Sequence, residues 1–333
     1  MNAAETLLRI LSDFEAFTRC FGGVRLRAYQ VEAAEAVLRS VLAGEGETFV
    51  WKFARQGGKD ETLAALYLYI MTVFSAQPCS IVTAAPTFKP QTELAMRRLA
   101  DRLSAHRALR SLYARRSGYI FSVKRASTLF FSADRAANVV GATAWPLLVM
   151  NEAQDIAPDV YDKRFAPMAA ADHATRLFSG TAWTSDTLLK REEDLCRLRE
   201  ARDGRKRVFL VDGPAIAAAH PPYGRFLEEQ IARSGRGHPV IRSQYFCEEI
   251  EAQAGLFNPA RRALMLGDRP PSGPRPGGLY AFLIDVAGQD EDSLDMEDLR
   301  SPGRDSTALS ILEVDLSSVG PLPPTYRVMM RFG

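Results

Sequence analysis

The sequence predicts an α/β fold with a mainly parallel sheet and flanking helices. Three observations predict it. Apolar runs of strand length alternate with stretches whose apolar positions recur at helical spacing. A glycine-bearing loop joins one such run to a helix, and another run ends abruptly in amide and acid. Composition fits a globular chain: 333 residues, 47% hydrophobic and 25% charged, which argues against disorder or a fibre. The 42 Lys and Arg nearly balance 40 Asp and Glu, so any nucleic-acid contact has to come from a local patch. Of those 42 cations, 7 are Lys and 35 are Arg; guanidinium forks suit phosphate partners, and a codon bias gives the same excess. Cys20, Cys79, Cys196 and Cys247 form no CxxC pair, which argues against structural zinc or a disulfide framework and suits a reducing compartment. The first residues lack a signal-peptide pattern, and the longest apolar stretch, around Leu63 to Phe74, is too short for a bilayer. A cytoplasmic protein without membrane association is the expectation.

The elements follow in order. Residues 3–18 and 28–43 carry apolar positions at helical spacing, with Gly44 and Gly46 ending the second helix. Thr48 to Phe53 (TFVWKF) reads as a buried strand, followed by the glycine loop and a helix over 61–74. A strand over 80–85, a turn at Pro86 and a helix over 90–104 continue the alternation that a parallel sheet with crossovers requires. Residues 119–123 and 127–133 read as paired strands around a short turn. Further strands are expected over 147–150, 176–179 and 208–211, and a charged helix over 187–202. Gly267 to Gly278 (GDRPPSGPRPGG) cannot continue a helix or a central strand and reads as a linker. Strands over 279–286 and 308–314 follow it. The expected division is 1–266, a linker over 267–278, and 279–333, the last too short for most α/β domains.

The strongest chemical signal is TFVWKF running into ARQGGKDET and a helix. Gly57 and Gly58 let backbone N–H groups curl toward an anion, the helix N-terminus adds partial positive charge, and Lys59 can reach the β- and γ-phosphates of a nucleotide. The loop departs twice from the pattern G-x-x-x-x-G-K-[ST]: Phe53 replaces the first Gly, and Asp60 follows the lysine. The magnesium-ligating hydroxyl then comes from elsewhere, or a carboxylate such as Asp60 replaces it. The plain alternative is a turn with a solvated lysine. At the end of 147–150, Asn151 stands where an acid orients magnesium, and Glu152 stands as candidate general base. The same residues equally describe a helix start capped by Asn151. Gln30 can pair with an adenine edge while Tyr29 packs on the base, or both sit on an ordinary surface helix. Thr181 after Gly180 can sense a γ-phosphate, or mark a turn.

Taken in order, AYQ, ARQGGK, TAAPT, NVVGATA, NEAQD and SGTAW resemble the large terminase subunit of tailed bacteriophages, from about Leu26 to the chain end. The resemblance implies a RecA-like P-loop ATPase domain followed by an RNase H-like nuclease using two divalent metals, Mg2+ or Mn2+. It implies ATP and Mg2+ as cofactors, and double-stranded DNA, a portal protein and a small terminase subunit as partners. A monomer in solution would form a homo-oligomeric ring on the procapsid. Carried over residue by residue, Tyr29 and Gln30 match the adenine motif. Arg55, Gln56, Gly57, Gly58 and Lys59 match the phosphate loop, with Asp60, Glu61 and Thr62 opening its helix. Asn151 and Glu152 match the Walker B strand end, and Gly180 with Thr181 the coupling motif. Asp285 matches the first nuclease metal ligand, and Asp305 is a further metal candidate. Val140 occupies the slot of an arginine that in relatives reaches the neighbouring subunit; Arg135 is the nearest substitute, and Arg55 is the family-typical loop arginine.

The departures have consequences. Asn151 in place of Asp implies slow or absent hydrolysis, and the nuclease stops at Gly333 before the later acids of a two-metal site, so DNA cleavage is not expected from this polypeptide. Two rival readings remain: a helicase-type DNA-dependent ATPase, suggested by AYQ and NEAQD, and a decayed, non-hydrolysing scaffold that binds portal or DNA. The basic stretch Arg197 to Arg207 reads as a DNA contact or as a solvated helix face.

Overall fold

The computed structural model describes residues 2–137, 141–250, 274–285, 308–315 and 325–332. The chain divides into two compact units, Met1–Asn258 and Pro259–Gly333. The first opens with α1 (Ala3–Ser12), α2 (Phe14–Cys20) and α3 (Ala28–Ala43). The single helix expected over 3–18 is broken because Asp13 adopts an extended conformation and its side chain caps α2, accepting from the Ala16 N–H at 2.8 Å. Strand β1 (Thr48–Phe53), α4 (Lys59–Val73), β2 (Cys79–Ala85), α5 (Glu93–Ala105) and α6 (Arg107–Leu112) follow. Three strands then run close together, β3 (Tyr113–Arg116), β4 (Ile120–Val123) and β5 (Ala126–Ser132), of which β3 was not expected. Its charged Arg115 and Arg116 are exposed, the composition of an edge strand. After β6 (Leu147–Asn151) come the one-turn α7 (Pro158–Val160), β7 (Thr175–Gly180), α8 (Leu188–Asp203) and β8 (Val208–Val211). Three helices unassigned from sequence follow among the described residues: α9 (Gly213–Ala219), α10 (Pro221–Ser234) and α11 (Pro239–Phe246).

The eight strands form one sheet, ordered β3-β4-β5-β2-β6-β7-β1-β8. Only β3–β4 and β4–β5 are antiparallel; β5, β2, β6, β7, β1 and β8 run parallel. Successive residues of the central strands feed opposite cores. Phe49, Trp51 and Phe53 pack on one face with α3 and α4, while Val50 joins Val82, Leu148, Met150 and Phe178 on the other, against α8. A strand buried on both faces must be apolar throughout, which is why TFVWKF and LLVM read as continuous runs. The parallel register sets Asn151 opposite Ser179, and Ser179 opposite Trp51, so the carboxyl ends of β6, β7 and β1 lie side by side. In open parallel sheets ligands bind in the crevice outside those ends.

The second unit is a three-stranded antiparallel sheet, ordered β11-β10-β9, from β9 (Leu279–Asp285), β10 (Ala308–Asp315) and β11 (Thr325–Phe332). Asp285 ends β9 opposite Ala308. Residues 138–140, with Val140, and Asp305 lie outside the described residues, as does the linker from 267 to 273. No described helix is long and apolar enough to cross a membrane.

Candidate functional site

Between β1 and α4 the backbone turns through left-handed conformations at Gln56 (φ 65°) and Gly58 (φ 82°). Gly58 is needed for its φ and also for space, because a Cβ there would lie 2.5 Å from Gln30 Nε2. Gly57 is not left-handed; its Cβ would press on the Ala54 carbonyl at 2.9 Å and Ile216 at 3.1 Å. Phe53, at the position of the missing first glycine, is buried, stacked on Trp51 and met edge-on by Tyr29. An apolar ring thus anchors the start of this loop.

Gln30 and Tyr29 brace the loop from behind. The Gln30 amide donates to the Gly58 carbonyl (3.0 Å) and Thr62 Oγ1 (2.9 Å), and its oxygen accepts from the Arg27 N–H (2.8 Å). Both amide hydrogens and one oxygen lone pair of this buried side chain are engaged within the protein, so it has no N–H left to offer a base edge. Tyr29 donates its hydroxyl to the Gly57 carbonyl at 3.0 Å. Thr62 turns its hydroxyl back to Gly58, and Glu61 is held by Arg102 at 3.0 Å; both stand outside the cleft.

That cleft has a volume of about 500 Å3, and Arg55, Gln56, Gly57, Gly58, Lys59, Asp60, Glu152 and Thr181 line it. Phe53 and Ala54 line it too, together with Gln91, Arg98, Gln154, Asp155, Trp183 and Gln244 of α11, which were not among the expected site residues. Arg55 is placed by the late helices, because its N–H donates to the Gln244 carbonyl (2.7 Å) and its carbonyl accepts from the Tyr223 hydroxyl (2.8 Å).

Lys59 Nζ donates to Glu152 Oε1 at 2.7 Å. Burial opposes the charge on Glu152, but the Lys59 charge and hydrogen bond outweigh it and hold this carboxyl below its usual range. Burial and the Glu152 charge together push the Asp155 carboxyl up. Glu152 itself is left-handed (φ 54°), a strained conformation for a residue with a Cβ, and it turns the chain sharply off β6. Gln154 links the motifs: its amide donates to Glu152 Oε2 (2.8 Å) and Asp155 Oδ2 (3.0 Å), while its oxygen accepts from the Thr181 N–H (3.2 Å). Gly180 makes room for it, since a Cβ there would lie 2.1 Å from Gln154 Oε1. The signal for this link was visible as glutamine two residues after the acid, but nothing local named its partner.

Asn151 is buried, accepts from Ser179 Oγ at 2.9 Å and donates to Asp60 Oδ1 at 3.2 Å. Arg135 is not brought to the cleft. It forms a two-pronged pair with Asp159 at 2.7 and 2.9 Å on an exposed surface, and Arg164 binds the carbonyls of Asp134, Arg135 and Ala137 beside it. The Arg197–Arg207 stretch is largely neutralised by acids: Arg207 pairs with Glu47 and Asp203, Arg205 with Glu45 and Glu47, Lys206 with Glu32, and Arg197 with Glu193 and Glu200. An acid-paired segment, with Arg207 itself buried, describes it better than a phosphate-binding one.

No family model and no curated protein matches the sequence. Solved structures do match. The large terminase ATPase domain of Thermus phage P74-26 superposes with a TM-score of 0.54 at 18% identity, over 70% of this chain and 97% of that one. The large terminase of bacteriophage HK97 superposes with a TM-score of 0.56 at 13% identity, over 97% of this chain and 67% of that one. The chain therefore has a large terminase-like fold, its mostly parallel sheet and flanking helices matching the RecA-like ATPase domains of those proteins.

Proposed function

We propose that this chain is a terminase-like ATPase that binds ATP with Mg2+ in the cleft at the carboxyl ends of β1 and β6, and couples its turnover to movement of double-stranded DNA into a procapsid. The observation that carries the reading is the Lys59–Glu152 pair, placed at the mouth of a left-handed glycine loop on the first turn of α4. A polyphosphate entering that loop meets backbone N–H groups, the positive end of α4 and Lys59. Lys59 exchanges its carboxylate partner for phosphate oxygens, and Glu152 is left with Gln154 as partner, ionised and free to accept a proton from an attacking water. Gln154 ties that carboxylate to the Thr181 N–H at the end of β7, a physical route from nucleotide state to the neighbouring strand. Arg55 stands at the mouth of the cleft as a further phosphate ligand.

The donor set fits magnesium, which is held through one or two carboxylate oxygens together with substrate phosphates. Asp60 borders the cleft beside Lys59, where such an ion would be held, and Asn151 is joined to Asp60 from behind; the ion would neutralise phosphate charge. In the same reading, residues 1–266 form the ATPase domain, 267–278 a linker and 279–333 the opening of an RNase H-like nuclease, with Asp285 as one of its metal ligands. The three-stranded antiparallel sheet with Asp285 at the end of its first strand supports this. Arg135, exposed and away from the cleft, suits contact with a neighbouring subunit of a ring. Portal protein and small terminase subunit are the partners this reading names, in the host cytoplasm.

The test is titration of a fluorescent ATP analogue into the parent chain and Lys59→Ala. Loss of a charge-assisted contact should weaken binding about 10- to 100-fold; equal affinity would overturn the site. Phosphate release with and without duplex DNA then separates a motor from the scaffold reading: stimulation by DNA is expected, and no release in either condition favours a scaffold.

A further inference from the structure

Asn151 by itself reads as the loss of a magnesium-orienting acid. Its surroundings say otherwise. In the common phosphate-loop pattern the residue after the lysine is a hydroxyl donor, and the strand end across from it is a carboxylate acceptor. Here the residue after Lys59 is the carboxylate, Asp60, and the strand end supplies the donor, Asn151 Nδ2, at 3.2 Å. The orientation of that amide is fixed chemically: Asp60 only accepts, and Ser179 Oγ, 2.9 Å from Asn151 Oδ1, donates. The contact between α4 and β6 is preserved, its donor and acceptor are exchanged, and the number of carboxylates across it stays at one.

We propose that the metal-holding carboxylate of this site has moved across that contact, so that Asp60 supplies the oxygen that binds a divalent cation beside the nucleotide phosphates and Asn151 is the residue that positions it. The inference rests on the nucleotide-binding reading above. Asp60 lines the cleft alongside Lys59, whereas Asn151 is 5% exposed and does not. The second carboxylate oxygen of Asp60 meets only Arg98 Nη2 among the described residues, at 3.9 Å, beyond hydrogen-bonding distance, and so is open to exchange for an ion. An aspartate at 151 as well would set two carboxylates face to face at about the present 3.2 Å, which disfavours both charges when no ion is bound. The amide is therefore the neutral partner that a carboxylate at position 60 requires.

The experiment measures affinity for a fluorescent ATP analogue in excess Mg2+ and in EDTA, with Mn2+ electron paramagnetic resonance on the same complexes as a readout independent of turnover. The parent should bind more tightly in Mg2+. Asp60→Asn should lose at least about 10-fold of that metal-dependent gain and its bound Mn2+ signal, while binding the analogue more tightly than the parent in EDTA, since a negative charge facing the phosphates is gone. That reversal of sign is not what simple damage to the loop produces. Asn151→Ala should lose about 10-fold of the metal-dependent gain through Asp60. Asp60→Thr should behave as a ligand loss, and Asp60→Thr with Asn151→Asp, which restores the common arrangement, should recover metal dependence. A parent-like metal dependence and Mn2+ signal in Asp60→Asn overturns the inference and leaves nucleotide binding standing. A parent that binds the analogue in neither buffer overturns both. Should the double variant fail to fold by circular dichroism, the Asp60→Asn comparison decides alone.

Discussion

Lys52 and Lys59 stand at either end of the same turn from β1 into α4, and both are paired with glutamate. Lys52 is 2% exposed and wedged between Glu193 and Glu249; burial works against its charge, but the two carboxylates outweigh it and raise its pKa. Lys59 meets one carboxylate, Glu152, which also holds Gln154 and borders an open cleft. The chemistry is the same and the consequence differs. A lysine enclosed by two acids is a structural charge, because no ligand can reach it and neither partner can be released. A lysine with one acid at a cavity wall is exchangeable, because an entering anion can take the lysine while the acid keeps a second partner.

Substitutions at the two sites should separate these roles. Lys52→Ala leaves buried Glu193 with only the longer Arg197 contact at 3.5 Å and should cost about 3–5 kcal/mol in urea unfolding. Lys59→Ala should cost less, about 1–2 kcal/mol, since Glu152 retains Gln154 and borders the cleft. Equal losses at the two positions would erase the distinction. Next in size is Gly180→Ala, which drives a Cβ into Gln154 and against Leu189 at 2.9 Å. It should cost about 1–3 kcal/mol, and Gln154→Ala in the same chain should relieve most of it.

Gln30→Leu should cost about 1–3 kcal/mol by orphaning the Arg27 N–H and removing one of the bonds to the Gly58 carbonyl, which keeps Thr62. As a brace rather than a base reader, Gln30 should weaken ATP and GTP analogues alike when replaced; selective loss of ATP would restore it to the adenine edge. The smallest effect is in pH. The folded pKa of Glu152 is depressed, so its charge stabilises the fold above the ordinary glutamate value of about 4.3 and loses that contribution as pH falls through the lower folded value. The melting-temperature gap between parent and Glu152→Gln should be full near pH 7 and close only below about pH 4.

Much of the fold was legible because buried parallel strands must be apolar on both faces, and β1, β2, β6 and β7 announce themselves in this way. The three helices after β8 were not: α9 and α11 are short, and all three begin at Pro or Gly–Pro, where local pattern is weak. Their contribution to the site is the Gln244 and Tyr223 contacts that pin Arg55. The break at Asp13 was missed because apolar spacing continues across it and only the cap interrupts the helix.

The amino-acid sequence by itself determined the loop and the strand ends: glycine, lysine and acid at those positions dictate local conformation and charge wherever they occur. Only the tertiary structure decided what each polar group does. It turned Gln30 inward to the loop, joined Gln154 to Thr181, and set Asp60 against Asn151 from 91 residues away. Local spacing encodes the direction of a side chain along its own helix or strand. A hydrogen bond is satisfied by whichever partner the sheet order brings within 3 Å or so, and that partner is fixed only when the strands have packed.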